Sequence, residues 1–338
     1  MMRIGIICPS EIAFRRFLPA LKEVGCFEYA GVAIASKDEF VGATDEILAK
    51  ERAKAQTFVD SYGGKIYEGY KTLIESDDVD AIYLPLPPGL HYKWAKAALD
   101  AGKHTLVEKP CTIALSNTED LLKEAGEKGL AVHENYMFAF HNQIEAVNEI
   151  VRNGEIGDVR LYRISFGFPM RAQNDFRYNK ALGGGALLDC GGYTMKYASM
   201  LLGPTATIKY AQSNNIEGFS VDMYGSAAMV NDEGVTAQIA FGMDHNYKCE
   251  LEVWGSKGTL YTNRILTAPA GFVPEVVIRK GNEEEKRNLP ADDAFKKSIL
   301  YFCECIKNAG ERKENYETLL RQARLVEQFK QLANIDVK

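Results

Sequence analysis

The stretch "VDAIYLPLPPGLHYKWAKAALDAGKHTLVEKP", residues 79–110, contains one full repeat of the pattern that sets the fold. An apolar run (Val79–Leu86) is followed by helical spacing over His91–Gly102 and then by a second apolar run, His104–Lys109. Two β-rich runs separated by a helix of this length imply parallel pairing with a right-handed crossover. The same alternation extends outward on both sides. Upstream lie a strand at Arg3–Ile7, a helix at Phe14–Val24, a strand at Tyr29–Ala35, a helix at Thr44–Tyr62, a short strand near Lys65–Ile66 and a helix at Gly69–Ser76. Downstream lie a helix at Ser116–Lys128 and a strand at Leu130–Glu134. The expectation is an α/β chain whose residues 1–130 form a Rossmann-type, doubly wound parallel sheet.

After about residue 155 the period changes. "DVRLYRISFGF" alternates with period two, and similar runs recur at Ala206–Ser213, Phe219–Val230, Gly234–Met243, Tyr247–Trp254 and Gly258–Thr262. Turns such as "NDEG" and "WGSKG" join several of them, which predicts antiparallel neighbours. Helices over Ala291–Ala309 and Tyr316–Ala333 close the chain. Residues 131–338 are thus expected to form an α+β domain with a large, open, mostly antiparallel sheet.

Composition narrows the function classes. The 338 residues carry a net charge of −6 with 46% hydrophobic and 25% charged residues, which leaves no basic footprint for nucleic acid. Seven scattered cysteines form no CxxC pair, and the five histidines have no zinc-ligand spacing. Reduced thiols, no metal, no membrane span and a cytoplasmic location are expected.

Four places can carry chemistry. The first is the turn "CPSEI", residues 8–12, after the first strand. Small residues at Cys8, Ser10 and Ala13 keep the G-x-G-x-x-G spacing without its glycines, and Pro9 presets a turn. The turn reads equally as a pyrophosphate cradle over Cys8, Pro9, Ser10, Glu11 and Ile12 or as a plain strand-to-helix turn, and Glu11 is an awkward neighbour for an anion. The second is "SKD", residues 36–38, at the end of the second strand. A hydroxyl and a cation at Ser36 and Lys37 suit a 2′-phosphate, favouring NADP(H) with NAD(H) as the second option; the alternative is a solvated loop. Arg15 and Arg16 could assist.

The third place is Lys109 in "EKP", at a strand's C-terminal end where open α/β sheets hold ligands. It reads as an electrostatic partner for substrate or as a solvated strand-end lysine. The fourth is "LGGGALLDCGGYTMKYASMLLG", residues 182–203. Asp189 and Tyr193 are four apart, so a regular helix would put carboxylate and phenol on one face, as a catalytic pair or a local hydrogen bond. Gly191 and Gly192 lower helix propensity, which predicts bare backbone that something flat approaches.

Taken together, "EKP" at 108–110, "GGGALLDCGGY" at 183–193, the first strand–turn–helix and "ETLLRQARLVEQF" near the end resemble the glucose-fructose oxidoreductase / inositol dehydrogenase (Gfo/Idh/MocA) family over nearly the whole chain. The resemblance implies a nicotinamide cofactor and an oxidoreductase, with Lys109 as catalytic lysine, Asp189 as substrate-orienting carboxylate and Tyr193 in the acid/base position. It also implies that the domain at 131–338 serves substrate binding and oligomerisation. It adds Leu86, Pro87, His91 and Glu108 to the cofactor surroundings, and Asn135, His141, Arg171 and Arg177 as lesser candidates for the sugar or its diphosphate. "IAFRRFLPAL" (12–21) and "ENYMFAFHNQ" (134–143) are similar to the nucleotide-sugar 3-ketoreductase branch, which acts on dTDP-linked deoxysugars. The chain departs from that branch at Cys8, where a glycine is usual.

The expected activity is therefore NADPH-dependent reduction of a nucleotide-linked ketosugar, or its reverse, in a homo-oligomer (dimer or tetramer). Oxidation of a free aldose or trans-dihydrodiol is the alternative enzyme, and a non-catalytic dinucleotide-binding regulator is the alternative of another class.

Overall fold

Strands β1 (Met2–Ile7), β2 (Phe27–Ile34), β3 (Lys65–Glu68), β4 (Ala81–Leu84), β5 (His104–Glu108) and β6 (Val132–Asn135) pair in parallel in the order β3-β2-β1-β4-β5-β6. The computed structural model describes residues 1–40 and 43–335. The central strands β1, β4 and β5 are largely apolar because both faces are covered: Ile4, Ile6, Ile82, Leu84, Leu106 and Val107 are all fully buried. Helices α1 (Leu18–Lys22), α2 (Asp45–Tyr62), α3 (Tyr70–Ile74), α4 (His91–Asp100) and α5 (Leu115–Lys128) supply the crossovers. Strand order reverses between β1 and β4, the point at which a doubly wound sheet admits a ligand beyond its strand ends. Gly5 in β1 serves packing, since a Cβ there would press on Leu73 of α3 at 2.8 Å.

This compact unit comprises residues Met1–Asn135 together with Phe295–Leu320. It differs from the expected division at residue 130 for two reasons. β6 pairs with β5 from Thr105↔Val132 to Glu108↔Asn135. Ser298 and Asn315 also return to hydrogen-bond His133 and Asn135.

The second unit comprises Tyr136–Ala294 with the chain from Arg321 onward. It contains α6 (Asn142–Arg152), β7 (Val159–Gly167), α7 (Gly192–Leu202), β8 (Thr207–Asn214), β9 (Tyr224–Val230), β10 (Thr236–Gly242), β11 (Lys248–Gly255), β12 (Thr259–Asn263), β13 (Glu275–Lys280) and β14 (Glu283–Asn288). α8 (Ala294–Lys307) and α9 (Ala309–Leu332) follow. The eight strands run in the order β14-β13-β12-β11-β7-β10-β9-β8, mostly antiparallel. β10 and β7 are the exception. They pair in parallel from Thr236↔Leu161 to Gly242↔Gly167, a long-range pairing that no local turn signals. The β13–β14 hairpin also goes beyond the sequence reading, because β14, "EEEKRN", is almost wholly exposed and has no apolar alternation to reveal it.

Two helical starts are wound more widely than a regular α-helix. Residues Ala13–Phe17 and Leu187–Gly191 form π-helical turns, each leading directly into an α-helix. For the second this corrects the sequence expectation: Asp189 lies in the π turn and Tyr193 in α7, so they are not an i,i+4 pair of one regular helix. Such turns insert a residue into the helical ladder and are common at functional sites.

Candidate active site

The turn after β1 does without glycine. Cys8 has φ of 75°, a left-handed conformation that costs a residue with a Cβ about 1–2 kcal/mol. Neighbouring groups hold it there. Its amide donates to the Ala33 carbonyl at 3.1 Å, its carbonyl accepts the Ser10 amide at 2.9 Å, and its side chain packs against a core cluster that includes Tyr70. Burial pushes the thiol up to about 12, so it stays neutral and packs rather than attacks. Ser10 Oγ caps the helix start by accepting the Ala13 amide at 3.2 Å, and Ala13 is fully buried. Pro9 is buried and Ile12 half-buried. The Glu11 carboxylate pairs with Arg15 at 3.0 Å on the exposed side of the helix. A left-handed first residue, a capping hydroxyl and a small third residue are the features a pyrophosphate cradle at a helix start needs, so this turn fits the dinucleotide.

Beyond β2, Ser36 Oγ donates to Asp38 at 2.6 Å, and Lys37 reaches Asp45 at 2.7 Å with both side chains exposed. Glu39 ties this loop to α3 by accepting the amides of Ser36, Tyr70 and Lys71 at 2.7–2.9 Å. Its carboxyl is held below the usual range by those bonds, against the cost of its partial burial.

At the ends of β4 and β5 the sequence candidates divide into an interior set and a strand-end set. His91 is fully buried, with Nδ1 2.8 Å from the Pro110 carbonyl and Nε2 2.7 Å from the Leu86 carbonyl. Burial, with the Lys109 charge adding to it, holds the ring down at about 4. A neutral ring has one N–H, so it donates to one carbonyl at a time while tying the Leu86–Pro87 loop to Pro110. The Lys109–Pro110 peptide is cis. Lys109 is half-buried immediately after β5.

Glu108, directly before it, is buried and accepts hydrogen bonds from Tyr83 Oη at 2.7 Å and Asn135 Nδ2 at 2.6 Å. Burial raises its carboxyl. Asn135 Oδ1 accepts from Ser298 Oγ at 2.8 Å, so Asn135, expected near the sugar, bridges Glu108 and Ser298 inside the unit. The strand end that carries Lys109 is thus braced by a continuous buried network.

In the second unit, Asp189 is bound by Arg177. Arg177 Nε lies 2.6 Å from Asp189 Oδ2, and Arg177 Nη1 lies 3.1 Å from Asp175. Against the cost of burying the guanidinium, Asp189 and then Asp175 raise its pKa. Gly184 permits the arrangement, because a Cβ there would strike the Arg177 backbone carbonyl. Arg171 is exposed, and its amide donates to Tyr178 Oη at 2.8 Å. His141 is buried and caps α6, its Nδ1 accepting the Gln143 amide at 3.1 Å.

Tyr193 stands in the first turn of α7, 8% exposed, inside an aromatic cage. Tyr136 and Phe166 meet it edge-on with centroids at 5.1 and 5.4 Å, and Phe138 lies tilted at 5.8 Å. The glycines before it have helical backbones and are required for space. A Cβ on Gly192 would overlap the Tyr136 hydroxyl, and one on Gly191 would press the Phe241 ring at 3.0 Å. The flat group expected against this backbone is therefore an aromatic side chain of the protein itself. Sequence reasoning missed Tyr136, the Arg177–Asp189 pair and Asp222 because each depends on contacts remote in sequence. Only the glycines mark where those contacts fall.

A cavity of about 560 Å³ in this unit is lined by Ser165, Phe166, Tyr224, Phe241, His245 and Lys248 among others; it shares Phe166 with the Tyr193 cage, while neither Asp189 nor Tyr193 lines it. Among the described residues no cluster of His, Cys, Asp or Glu could hold a metal ion, and no helix is long and apolar enough to cross a membrane.

Comparison with known proteins covers both units. Residues 17–136 match the GFO/IDH/MocA model described as "Oxidoreductase family, NAD-binding Rossmann fold", and residues 144–261 match "GFO/IDH/MocA C-terminal domain". A dTDP-3,4-didehydro-2,6-dideoxy-alpha-D-glucose 3-reductase of Actinomadura kijaniata is 39% identical over 326 residues, 96% of this chain and 94% of its own length. A reductase of the same name from Streptomyces violaceoruber is 39% identical over 343 residues, 99% and 96% of the two chains. The crystal structure of a 3-ketoreductase from Actinomadura kijaniata in complex with NADP and TDP-benzene aligns with a TM-score of 0.89 at 38% identity, covering 98% of this chain and 97% of that one. Both family models match and these relatives cover nearly the whole chain: the chain belongs to the Gfo/Idh/MocA family of NAD(P)-dependent oxidoreductases.

Proposed function

We propose that this protein reduces the keto group of a nucleotide-linked deoxysugar with NADPH, with Lys109, Asp189 and Tyr193 acting on the same substrate. The carrying observation is Tyr193, a phenol caged by Tyr136, Phe138 and Phe166 at the start of a glycine-led helix whose preceding turn holds the paired Asp189. The family resemblance and the 39% identity to two dTDP-sugar 3-reductases support the substrate class.

When bound, the nicotinamide supplies the hydride. The chain's own residues do the rest. Tyr193 Oη delivers a proton to the oxygen of the reduced carbonyl, and the Lys109 ammonium stabilises the negative charge that develops there. Asp189 orients a sugar hydroxyl, with Arg177 fixing its carboxylate. Ser36 and Lys37 favour the 2′-phosphate of NADP(H) over the bare ribose of NAD(H). Both lie just beyond β2, Ser36 hydrogen-bonded to Asp38 and Lys37 paired with Asp45, partners that a bound 2′-phosphate would replace.

We further read the protein as a cytoplasmic homo-oligomer. The open sheet presents exposed Tyr210, Tyr224 and Trp254, with Arg163 stacked over Trp254 at 5.7 Å, a surface suited to cover by a second copy.

The direct test is NADPH oxidation across a panel of dTDP-ketosugars, free aldoses and trans-dihydrodiols, repeated with NADH. Turnover of the dTDP-ketosugars with at least a ten-fold preference for NADPH is expected. Turnover only of free sugars or diols would move the assignment to the other enzyme class, and cofactor binding without any turnover would make the chain a regulator.

A further inference from the structure

Asp222 lies just before β9 in an otherwise apolar run, "SVDMYG", and nothing in the sequence gives it a task. Its Oδ2 accepts the Leu187 amide at 2.6 Å, and its backbone carbonyl accepts the Ala186 amide at 2.8 Å. These are two of the first N–H groups of the helical segment that carries Asp189 and Tyr193, groups with no partner inside their own helix. Its other carboxylate oxygen lies against Gly185, where any Cβ would overlap it, and Gly185 has φ of 122°. Gly185 is held in turn from both sides: its amide donates to the Arg177 carbonyl at 2.9 Å, and its carbonyl accepts the Asp189 amide at 3.1 Å. One carboxylate therefore meets the helix start, the third glycine of the "GGG" run and, through that glycine, both members of the Arg177–Asp189 pair.

We propose that Asp222 is a positioning residue of the active site: it fixes the start of the π turn, so that Asp189 and Tyr193 are held in register, and together with the φ of 122° it accounts for glycine at position 185.

This rests on the roles given above to Asp189 and Tyr193. The group facing Asp222 that carries charge is Lys330 of α9, itself beside Glu327. Burial raises the Asp222 carboxyl to about 6, with the Leu187 amide and Lys330 opposing the rise. Below about pH 6 the carboxylate is protonated and loses the charge that favours a helix start. An activity limb that declines as pH falls through that value follows.

The experiment combines Asp222→Asn, which keeps the shape and an acceptor oxygen but removes the charge, with Asp222→Ala, in the full chain. Amide hydrogen exchange is read over residues 185–193, and steady-state kinetics with NADPH and the best ketosugar are measured across pH 5–8. Expected are faster exchange at 185–193 in both variants, kcat down about ten-fold in Asp222→Asn with NADPH affinity within two-fold, and loss of the acidic limb near pH 6. Unchanged exchange in both variants, or a fall in NADPH affinity as large as the fall in kcat, would overturn the proposal. If the wild-type chain turns over no ketosugar, the proposed function fails, while the exchange arm still decides whether Asp222 fixes this segment.

Discussion

The turn after β1 and the helix start before α7 solve opposite problems with glycine. At the turn, the backbone takes a conformation that suits glycine, yet the residue is Cys8, held by backbone hydrogen bonds with Ala33 and Ser10. At Gly191 and Gly192 the backbone is ordinary helix, which any residue adopts, yet glycine is needed because Phe241 and Tyr136 occupy the space a Cβ would fill. A conformational demand costs a modest, roughly fixed amount that a few hydrogen bonds can offset. A steric demand in a packed interior cannot be offset without moving the neighbours. Gly191 and Gly192 therefore mark close packing, and Cys8 marks a turn with local support.

The largest expected effect tests what that packing serves. Tyr193→Phe should lower kcat by ~10²–10⁴-fold while NADPH affinity, measured by fluorescence titration, stays within two-fold. An unchanged rate would remove the reason for a glycine-lined helix start.

Next, Gly192→Ala should destabilise the protein by about 1–3 kcal/mol in urea unfolding, although alanine is the better helix former. Tyr136→Phe in the same chain should recover much of that loss by removing the overlapping oxygen. Without recovery, the steric reading of the glycine fails.

A third effect belongs to the first unit. Burial raises the folded pKa of Glu108 above the ordinary carboxylate range, so its contribution to stability is present at low pH and lost as pH rises through the folded value. Glu108→Gln should flatten that slope in chemical denaturation followed from pH 4 to 8. An identical slope would show that Glu108 titrates as an ordinary carboxyl.

The smallest effect concerns Cys8. Cys8→Gly should be about 1 kcal/mol more stable than Cys8→Ala, because both lack the thiol but only alanine keeps the left-handed cost. Equal stability of the two variants would mean that the turn relaxes.

Much of this was legible in the sequence because it is local. Residues 79–110 gave the parallel crossover through period and length alone, and Lys109 fell at a strand end for the same reason. The "GGGALLDCGG" run drew attention to Asp189 and Tyr193. What stayed hidden depends on residues far apart: the β7–β10 parallel pairing spans about 75 residues, Asp222 meets Leu187 across 35, and Ser298 meets Asn135 across 163. His91 and Asn135 were legible as polar groups near strand ends, but a sequence cannot tell whether such a group faces the crevice or the interior. Here both are enclosed. The π turn was invisible for a different reason: it changes the register of a helix without changing its composition.

The return of residues 295–320 to the first unit bears on how the protein is made. Translation delivers all six parallel strands by Asn135, but Ser298 and Asn315, which satisfy His133 and Asn135 in the interior, emerge only some 160 or more residues later. Until then the nascent Rossmann sheet lacks both the side chains that pair with these groups and the Tyr301 and Phe302 rings that pack on His133. The first domain to be synthesised is therefore not the first to be finished, and a chain stopped at Ala294 would leave it incomplete even though every strand of its sheet is present.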